Sequence, residues 1–343
     1  ELLMKTHRGY QEKFETRNPK SETKRIGLPR IFFFHDFLPF WSTLLWELGF
    51  EVELSDNTNR HIINKGVEHI LSESCFPHKV AHGHIRDLID RDVDAIFLPS
   101  FINFNPDSES LRSYACPYAQ TMPYIANIAF KNIRLLKPVI DLERGEGYLT
   151  DELYSSLKQF HVTKKAIREA LKKAKKEQKD FSRELKERGK QVLQGLTERA
   201  IVIVGRAYNA FDPGINLEIP KKLSALGVFP IPMDYLPYEA VDISGKWANM
   251  YWRSGQNILR AAEIIRDNPK LFALYIGNFS CGPDSFIQHF FDETMSGKPY
   301  LHIEIDEHSA DAGVIKRCEA FLDSIGGQRE SAKARKSESV NAT

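Results

Sequence analysis

The chain has 343 residues, with 47 Lys and Arg against 46 Asp and Glu and a formal net charge of +1. This balance gives no basis for a dedicated nucleic-acid surface, and no apolar run reaches membrane-spanning length. Four scattered cysteines do not resemble a secreted disulfide framework, and the N-terminus lacks a signal-peptide layout, so a cytoplasmic location is predicted. The length favours two domains, and the start at Glu1 rather than Met suggests a piece of a longer polypeptide.

The first part of the chain has an α/β pattern. Residues 1–24 are charged and are interpreted as a linker or lead-in helix, and residues 25–150 as a first α/β lobe. Strands are predicted from Arg25, at 50–54 and at 93–99, the last as a buried strand of a parallel sheet. A helix over 59–71 is expected to bury Ile62, Ile63, Val67 and Ile70, and 100–114 is expected to be a loop.

Residues 151–199 differ in kind from the rest of the chain. Apolar side chains recur there at three- and four-residue steps among many Lys and Glu, which predicts one long or two broken amphipathic helices. The Lys-rich face could meet RNA or a phosphate tail. A solvated helix face is preferred, because acidic residues are interleaved.

From Ala200 the pattern of the first lobe returns. Gly27 and Gly205 are 178 residues apart, and so are Gly49 and Gly227. The predicted fold class is therefore α/β, with two Rossmann-like open parallel-sheet lobes related by duplication and joined by a long helical segment. The second lobe is placed at 200–325, and the polar tail 326–343 is predicted to be disordered.

Three of the four cysteines are followed by a proline within two positions. With 17 Pro in 343 residues this is about a one-in-ten event for each cysteine. Proline suits the first turn of a helix, so each of these cysteines is predicted beside the positive end of a helix, where a thiolate or an anionic cluster is stabilised. Cys318 lacks such a proline and serves as an internal control. The three pairs are Cys75 and Pro77, Cys116 and Pro117, and Cys281 and Pro283.

Other interpretations of these residues stay open. Free cysteines are also common as small buried side chains, and no Cys-x-x-Cys pair marks a structural zinc site. His78, His82 and His84 could instead complete a Cys/His zinc site with Cys75. The polar turn 205–214 could be a binding loop or a plain turn, and the carboxylates at 304–307 could serve acid–base chemistry or cap a helix. Neither a Walker loop nor a dinucleotide fingerprint is present, so no nucleotide site is predicted.

Five motifs together resemble the acyl-CoA dehydratase activase-related proteins. The chain is more distantly similar to the cluster subunits of 2-hydroxyacyl-CoA dehydratases and to double-cubane cluster proteins, over about residues 25–325. The motifs are Ile-Gly-Leu-Pro-Arg (26–30), Pro-Phe-Trp (39–41), Ser-Glu-Ser-Cys-Phe-Pro-x-Lys (72–79), Gly-Arg-Ala-Tyr-Asn…Asp-Pro-Gly (205–214) and Ile-Glu-Ile-Asp-Glu-His-Ser-Ala-Asp-Ala-Gly (303–313).

The resemblance implies an iron–sulfur redox protein of anaerobic metabolism. Cys75, Cys116 and Cys281 would hold a 4Fe–4S or double-cubane cluster between two Rossmann-like lobes. An ATP-dependent activator, as a separate protein or a module outside this chain, would supply low-potential electrons, and a homodimer or heterodimer is implied. The alternative is a non-catalytic electron-relay or scaffolding module of a larger activase. Possible substrate or supporting residues are Ser74, His78, Lys79, Arg206, Tyr208 and Asn209.

Overall fold

Two parallel β-sheets, one in each half of the chain, form the framework. The computed structural model describes residues 2–17, 23–104, 112–131 and 133–340. The first sheet contains β1 (Arg25–Leu28), β2 (Glu51–Leu54), β3 (Ala95–Phe97) and β5 (Leu135–Leu136). The second contains β7 (Ala200–Gly205), β8 (Phe229–Pro232), β9 (Leu271–Asn278) and β10 (Leu301–Ile305). A small additional sheet pairs β4 (Ser100–Asn103) with β6 (Val139–Asp141).

Helices cover the faces of both sheets. The first half has α1 (Leu2–Arg17), α2 (Phe34–Glu47), α3 (Arg60–His69), α4 (Phe76–Asp90) and α5 (Pro117–Ala129). Between the sheets lie α6 (Gly145–Leu157) and α7 (Lys164–Gln194). The second half has α8 (Ala207–Phe211), α9 (Ile219–Ala225), α10 (Arg253–Asp267), α11 (Gly282–Met295) and α12 (Asp311–Val340). None of the described helices has the length and hydropathy needed to span a membrane.

The two sheets have the same strand order. The first runs β2-β1-β3-β5 and the second β8-β7-β9-β10, with every pairing parallel. In each open sheet the strands lie in the order second, first, third, fourth. The chain adds strands on one side of the first strand and then on its other side, so the topological switch point lies between the first and third strands. The predicted α/β class with two Rossmann-like lobes is confirmed, and the shared order agrees with the repeated pattern of the sequence.

One hydrophobic core is shared by the two lobes. Alternate side chains of each strand point to opposite faces of the sheet, so Ile201 and Ile203 of β7 pack in this shared core, whereas Val202 packs in a separate core on the outer face. Ile96 from the first sheet and Leu274 from the second belong to the same shared core. The two sheets are thus buried on both faces, as parallel sheets require.

The connecting segment forms two helices, as predicted, and it contacts both lobes. Buried Ile167 and Leu171 of α7 pack with α2 in the core of the first lobe. Farther along α7, the Nζ of Lys186 donates a hydrogen bond of 2.8 Å to the carbonyl of Leu236 in the second lobe. The described residues of α7 therefore brace the two sheets from one side.

Some expectations for individual segments were wrong. Val67 is 40% exposed rather than part of the buried face of α3, because the helix turns Ile62, Ile63 and Gly66 inward instead. The predicted loop 100–114 includes β4, and its residues 105–111 lie outside the described part of the chain. The backbone of α12 is helical to Val340. The disorder predicted for 326–343 and the domain boundaries stay predictions.

Helices α3 and α4 cross with their backbones in contact, and two glycines make this possible. A Cβ at Gly83 would lie 1.9 Å from the carbonyl oxygen of Ile62, and one at Gly66 would lie 2.2 Å from that of Lys79. The obstructing atoms belong to the backbone, so no side chain could move aside. This crossing fixes the position of α4, and therefore of Cys75 at its start.

We expect Gly83→Ala to lower the free energy of unfolding by about 2 kcal/mol or more, since the helices must separate to admit the methyl group. Gly147→Ala is the matched control, because Gly147 lies in α6 and a Cβ added there would meet no atom within 4 Å. That variant should be neutral or more stable by about 0.5–1 kcal/mol. Urea unfolding of the purified variants measures both values, and equal stability of the two would contradict the close crossing.

Candidate functional site

Three cysteines stand at the N-termini of three helices. Cys75, Cys116 and Cys281 are the residues preceding α4, α5 and α11, each with extended backbone and each followed by proline in the first helical turn. The prediction from the proline pattern is confirmed at all three positions. All four cysteines of the chain are free, and Cys318 is fully buried within α12, away from any helix start.

The lobes meet around these three helix starts. The backbone N–H of Tyr114, two residues before Cys116, donates a hydrogen bond of 2.7 Å to Tyr251 of the second lobe, and Arg253 donates back to Tyr114 at 3.1 Å. Within the first lobe, the rings of His78 and Tyr118 lie 4.5 Å apart and join the starts of α4 and α5. The structure thus brings the cysteine-bearing ends of α4 and α5 together at the boundary with the second lobe.

Burial keeps two of the thiols protonated. Burial raises the pKa of Cys75 to about 11, against a smaller opposing effect of the first-turn N–H of His78. Burial also raises the pKa of Cys281, and nearby Arg206 opposes it. Cys116 contributes to the rise at Cys75, and Cys75 to the rise at Cys281, so the three thiols are within mutual electrostatic range. The helix N-termini alone do not overcome the cost of desolvating a thiolate here.

Arg206 provides a buried positive charge beside the cysteines. Its Nε lies 3.0 Å from Oδ1 of Asp284, and its Nη1 donates to the hydroxyl of Tyr208 at 2.9 Å. Its Nη2 has no hydrogen-bond partner among the described residues, although the side chain is only 3% exposed. Asp284 raises the pKa of Arg206 well above its ordinary value against the effect of burial, and Cys281 and Cys116 act in the same direction.

The other predicted site residues divide into two groups. Ser74 lies at the site, where its hydroxyl is 2.8 Å from Nδ1 of His78. Lys79 instead crosses to the second lobe, where its ammonium forms an ion pair of 2.5 Å with Glu307. Asn209 donates to the carbonyl of Ile276 at 3.3 Å and so ties its loop to β9. Lys79 and Asn209 therefore hold the lobes and loops in place.

Asp306 at the end of β10 and His84 of α4 have structural hydrogen-bond partners. Asp306 accepts hydrogen bonds from the N–H of His308 at 3.0 Å and from the hydroxyl of Ser309 at 2.8 Å, which is a turn-capping arrangement. His84 is bonded through both ring nitrogens, to Ser55 and to Thr58, each at 2.9 Å. It has no nitrogen left for a metal.

The zinc alternative is not supported. Across residues 2–17, 23–104, 112–131 and 133–340, no group of three or more His, Cys, Asp or Glu side chains is arranged to hold a metal ion. Burial lowers the pKa of His78 to about 4 and also lowers that of His82, so both imidazoles are neutral at physiological pH. Neutral imidazole is the form that binds metals, so the case against a Cys/His zinc site rests on the arrangement of the side chains alone.

A cavity of about 360 Å³ opens beside Cys116 between the lobes and the connector. Cys116 and Arg206 form part of one wall, and Asp36 of α2, Asp234 of the second lobe and Gln178 of α7 contribute to the rest. Aromatic side chains complete the lining: Phe33, Phe37, Phe104, Tyr114, Tyr208 and Tyr238.

Two carboxyl groups of this cavity have strongly shifted pKa values. Burial raises the pKa of Asp36 to about 7, the charge of Asp234 adds to the rise, and Arg253 opposes it. Burial raises the pKa of Asp234 to about 6, opposed by Lys186 and by a hydrogen bond of 3.2 Å from Tyr238. Shifted carboxyl pKa values in a cavity are typical of binding and catalytic sites.

These cavity residues were not predicted from the sequence. Asp36 and its neighbour His35 interrupt the apolar run 31–40, and this interruption was the available signal. Asp234 lies two residues after the end of strand β8, at the edge where open sheets bind ligands, but a single acid after a strand is too common a pattern to choose. Arg253 starts α10 and gave no signal of its own.

The fold and this region define a two-lobed α/β protein with three cysteines at helix starts and a polar cavity beside Cys116. A sequence profile described as the CoA enzyme activase uncharacterised domain (DUF2229) matches residues 25–236, which is more than half of the chain. The chain belongs to this family. The family agrees with the activase-related part of the resemblance carried by the five motifs.

Other comparisons add no functional assignment. A search of curated proteins found no match. Among solved structures, ZnuA is 13% identical with a TM-score of 0.27, covering 88% of this chain and 98% of ZnuA. The laminin-binding protein Lmb of Streptococcus agalactiae is 11% identical with a TM-score of 0.24 (89% and 100% covered), and AdcAII of Streptococcus pneumoniae is 10% identical with a TM-score of 0.27 (89% and 99%). These scores are too low to carry an argument.

The burial of the thiols predicts their order of reactivity in the metal-free protein. At about pH 8, the raised pKa of Cys75, about 11, leaves about a hundredfold less thiolate than an ordinary thiol has, and Cys281 is suppressed in the same direction. We expect iodoacetamide to label half-buried Cys116 first. Mass spectrometry of timed samples, kept free of oxygen, gives the order. Equal rates should appear only in urea, and equal rates in the folded protein would contradict the burial.

The carboxyl of Asp36 predicts a pH-dependent stability. Because its pKa is raised to about 7, the folded protein keeps a proton that the unfolded chain releases near its ordinary value of 3.8. The stabilising contribution is present below about pH 4 and is lost as the pH rises through about 7. We therefore expect Asp36→Asn to reduce the fall in the free energy of unfolding between about pH 5 and pH 8.

Asp323→Asn is the control, because Asp323 is exposed on α12 and does not line the cavity. Urea unfolding at the two pH values measures the difference for both variants and for the unmodified protein. An unchanged pH dependence in Asp36→Asn would show that the Asp36 carboxyl is ionised throughout this range in the folded protein.

Proposed function

We propose that this protein is an iron–sulfur redox component in which Cys75, Cys116 and Cys281 hold a 4Fe–4S or double-cubane cluster. The observation that carries the proposal is the shared placement of these thiols: each stands at the start of a helix, and they lie within electrostatic range of one another. Cys318, the control from the sequence, lies elsewhere, inside a helix.

The surroundings of the thiols fit an anionic cluster with thiolate ligands. The buried thiols are protonated without a metal, so their deprotonation needs a compensating positive charge. Iron supplies part of that charge, and the guanidinium of Arg206 and three helix N-termini supply the rest. The Nη2 of Arg206, which lacks a partner among the described residues, is a donor available to an acceptor at this position.

A cluster requires less convergence of its thiolate ligands than a single ion does. No group of metal-ligating side chains in the described part of the chain is arranged around one ion. Thiolates that bind a cluster attach to different iron atoms, so they need not converge on one point. When bound, such a cluster supplies low-potential electron transfer and, through an iron without a protein ligand, a site for a substrate oxygen.

The cavity favours a catalytic role over a relay. It reaches Cys116 and is lined by polar groups of both lobes, with Asp36 and Asp234 able to hold or release protons near neutral pH. A relay needs no such cavity. We infer that the electrons come from an ATP-dependent activator, in agreement with the activase family of this chain. The resemblance to the 2-hydroxyacyl-CoA dehydratases suggests a substrate of that class.

The cluster is tested by anaerobic purification or reconstitution, followed by iron and sulfide analysis. We expect bound iron and sulfide in the unmodified protein and in Cys318→Ala, and a loss of most of both in Cys75→Ala, Cys116→Ala and Cys281→Ala. Circular dichroism of each variant establishes that it is folded. An iron-free protein under these conditions, or a folded Cys281→Ala with full iron content, would overturn the proposal.

Catalysis is tested by anaerobic turnover with a matched activator, ATP, a reductant and a panel of 2-hydroxyacyl-CoAs and small reducible molecules. Asp36→Asn is expected to lower turnover and to leave the iron content unchanged, because Asp36 lines the cavity without being a ligand. Electron transfer to a partner protein without any turnover would reject catalysis in favour of the relay or scaffolding module.

A further inference from the structure

Helix α7 concentrates positive charge that the rest of the chain lacks. It contains twelve Lys and Arg against five Asp and Glu, which gives it a formal net charge of +7. The whole chain has a formal net charge of only +1, so the residues outside α7 together carry −6. Such an asymmetry between one element and the remainder is typical of a surface that meets an anionic partner.

The charges of α7 are segregated around the helix. At 3.6 residues per turn, one stripe about 60° wide consists entirely of Lys and Arg, over an axial length of about 37 Å. All five acids of α7 lie to one side of this stripe, although they are interleaved with the lysines in the sequence. The residues of this cationic stripe are Lys165, Arg168, Lys172, Lys179, Arg183, Lys186 and Lys190.

Most of the cationic stripe has no acidic partner within the protein. Arg183 pairs with Asp180 at 2.8 Å, and Lys186 pairs with Glu239 at 2.8 Å. The other five cations of the stripe are exposed and form no ion pair with any residue that the structure describes; the remaining ion pairs of α7 lie off the stripe. The stripe therefore presents uncompensated positive charge to the surroundings.

The cationic stripe does not serve the stability of the helix. Arg168 and Lys172 are four residues apart, and so are Lys179 and Arg183. Like charges at this spacing destabilise a helix, whereas an acid at one position of each pair would stabilise it. A local rule that is broken along a whole stripe is typical of a surface selected for recognition.

The charge pattern favours a protein partner over a nucleic acid. The bases of a single strand stack on aromatic side chains, and no position of the cationic stripe is aromatic. The charge of −6 outside α7 also repels an extended polyanion that reaches beyond the helix. A helix with Asp or Glu at three- and four-residue steps has the same rise per residue as α7, so its carboxylates match the positions of the cations.

We propose that the cationic stripe of α7 is the docking surface for an acidic helix of a partner protein. Gln178 and Ser182, on the adjoining face of α7, line the cavity beside Cys116. A partner docked on the stripe would therefore lie next to this cavity. The docking depends on the fixed charges of α7 and not on a cluster, so it stands or falls independently of the proposed redox function.

Fluorescence anisotropy with a labelled acidic peptide tests the proposal. The probe has about 28 residues in Glu-Ala-Ala-Glu-Ala-Ala-Ala repeats, enough to match the length of the stripe as a helix. We expect it to bind with a Kd of roughly 10 µM or lower at about 50 mM salt, and about tenfold or more weakly at about 200 mM. A peptide of the same composition in scrambled order, and a labelled oligouridylate RNA of similar charge, should bind several-fold more weakly.

Charge-reversal variants locate the binding. Lys172→Glu combined with Lys179→Glu should weaken binding of the acidic peptide about tenfold or more. Lys131→Glu combined with Lys316→Glu is the matched control, because it changes the net charge equally at exposed positions outside α7 and should leave the affinity unchanged. The reversal at Lys172 places an acid four residues from Arg168, so we expect the variant to fold, which circular dichroism checks.

Four results would overturn the proposal. The first is no binding of the acidic peptide to the unmodified protein at roughly 100 µM. The second is equal affinity for the scrambled peptide, which would remove the helical pattern from the argument. The third is tighter binding of the RNA than of the peptide at the same salt concentration. The fourth is equal affinity of the two double variants for the peptide.

Discussion

The apolar core shared by the two sheets is the constraint on which the rest of this structure depends. Its members include Ile96 of the first sheet and Ile203 and Leu274 of the second. Because the inner face of each sheet is covered by the other lobe and its helices, the lobes are held in one relative position by burial of apolar area, the dominant favourable term in folding. The carboxyl ends of both sets of strands, and the helices that follow them, are brought together as a consequence.

Polar contacts between the lobes then select this arrangement from other ways of burying the same area. Asp212 of the second lobe accepts a hydrogen bond from Thr58, and a Cβ at neighbouring Gly214 would lie 2.2 Å from the carbonyl oxygen of Thr58. Lys79 forms its ion pair with Glu307 across the same boundary. Three of the five family motifs, at 72–79, 205–214 and 303–313, contribute to these contacts, so much of the motif pattern serves the interface that positions the cysteines.

The cysteine region shows a competition in which burial outweighs the helix N-terminus. A helix start favours a thiolate by roughly 0.3–1 kcal/mol in exposed settings, and by somewhat more when partly buried. Desolvation of an anion is the larger effect at Cys75 and Cys281, whose pKa values rise. Asp284 neutralises part of the charge of Arg206, so Arg206 does not deprotonate the thiols by itself. A stronger positive charge at this position would convert the thiols to thiolates, the form that binds metals.

The sequence by itself determined where most strands and helices lie and which three cysteines stand at helix starts. Two-residue alternation and β-branched runs predicted the strands, and proline at the first turn predicted the helices after Cys75, Cys116 and Cys281, because both signals act between neighbours in the chain. Only the tertiary structure decided that Asp36 and Asp234, 198 residues apart in the sequence, share one cavity. It also decided that Val67 is exposed. These outcomes depend on which elements pack together, and burial and charge proximity between distant segments leave no local pattern in the sequence.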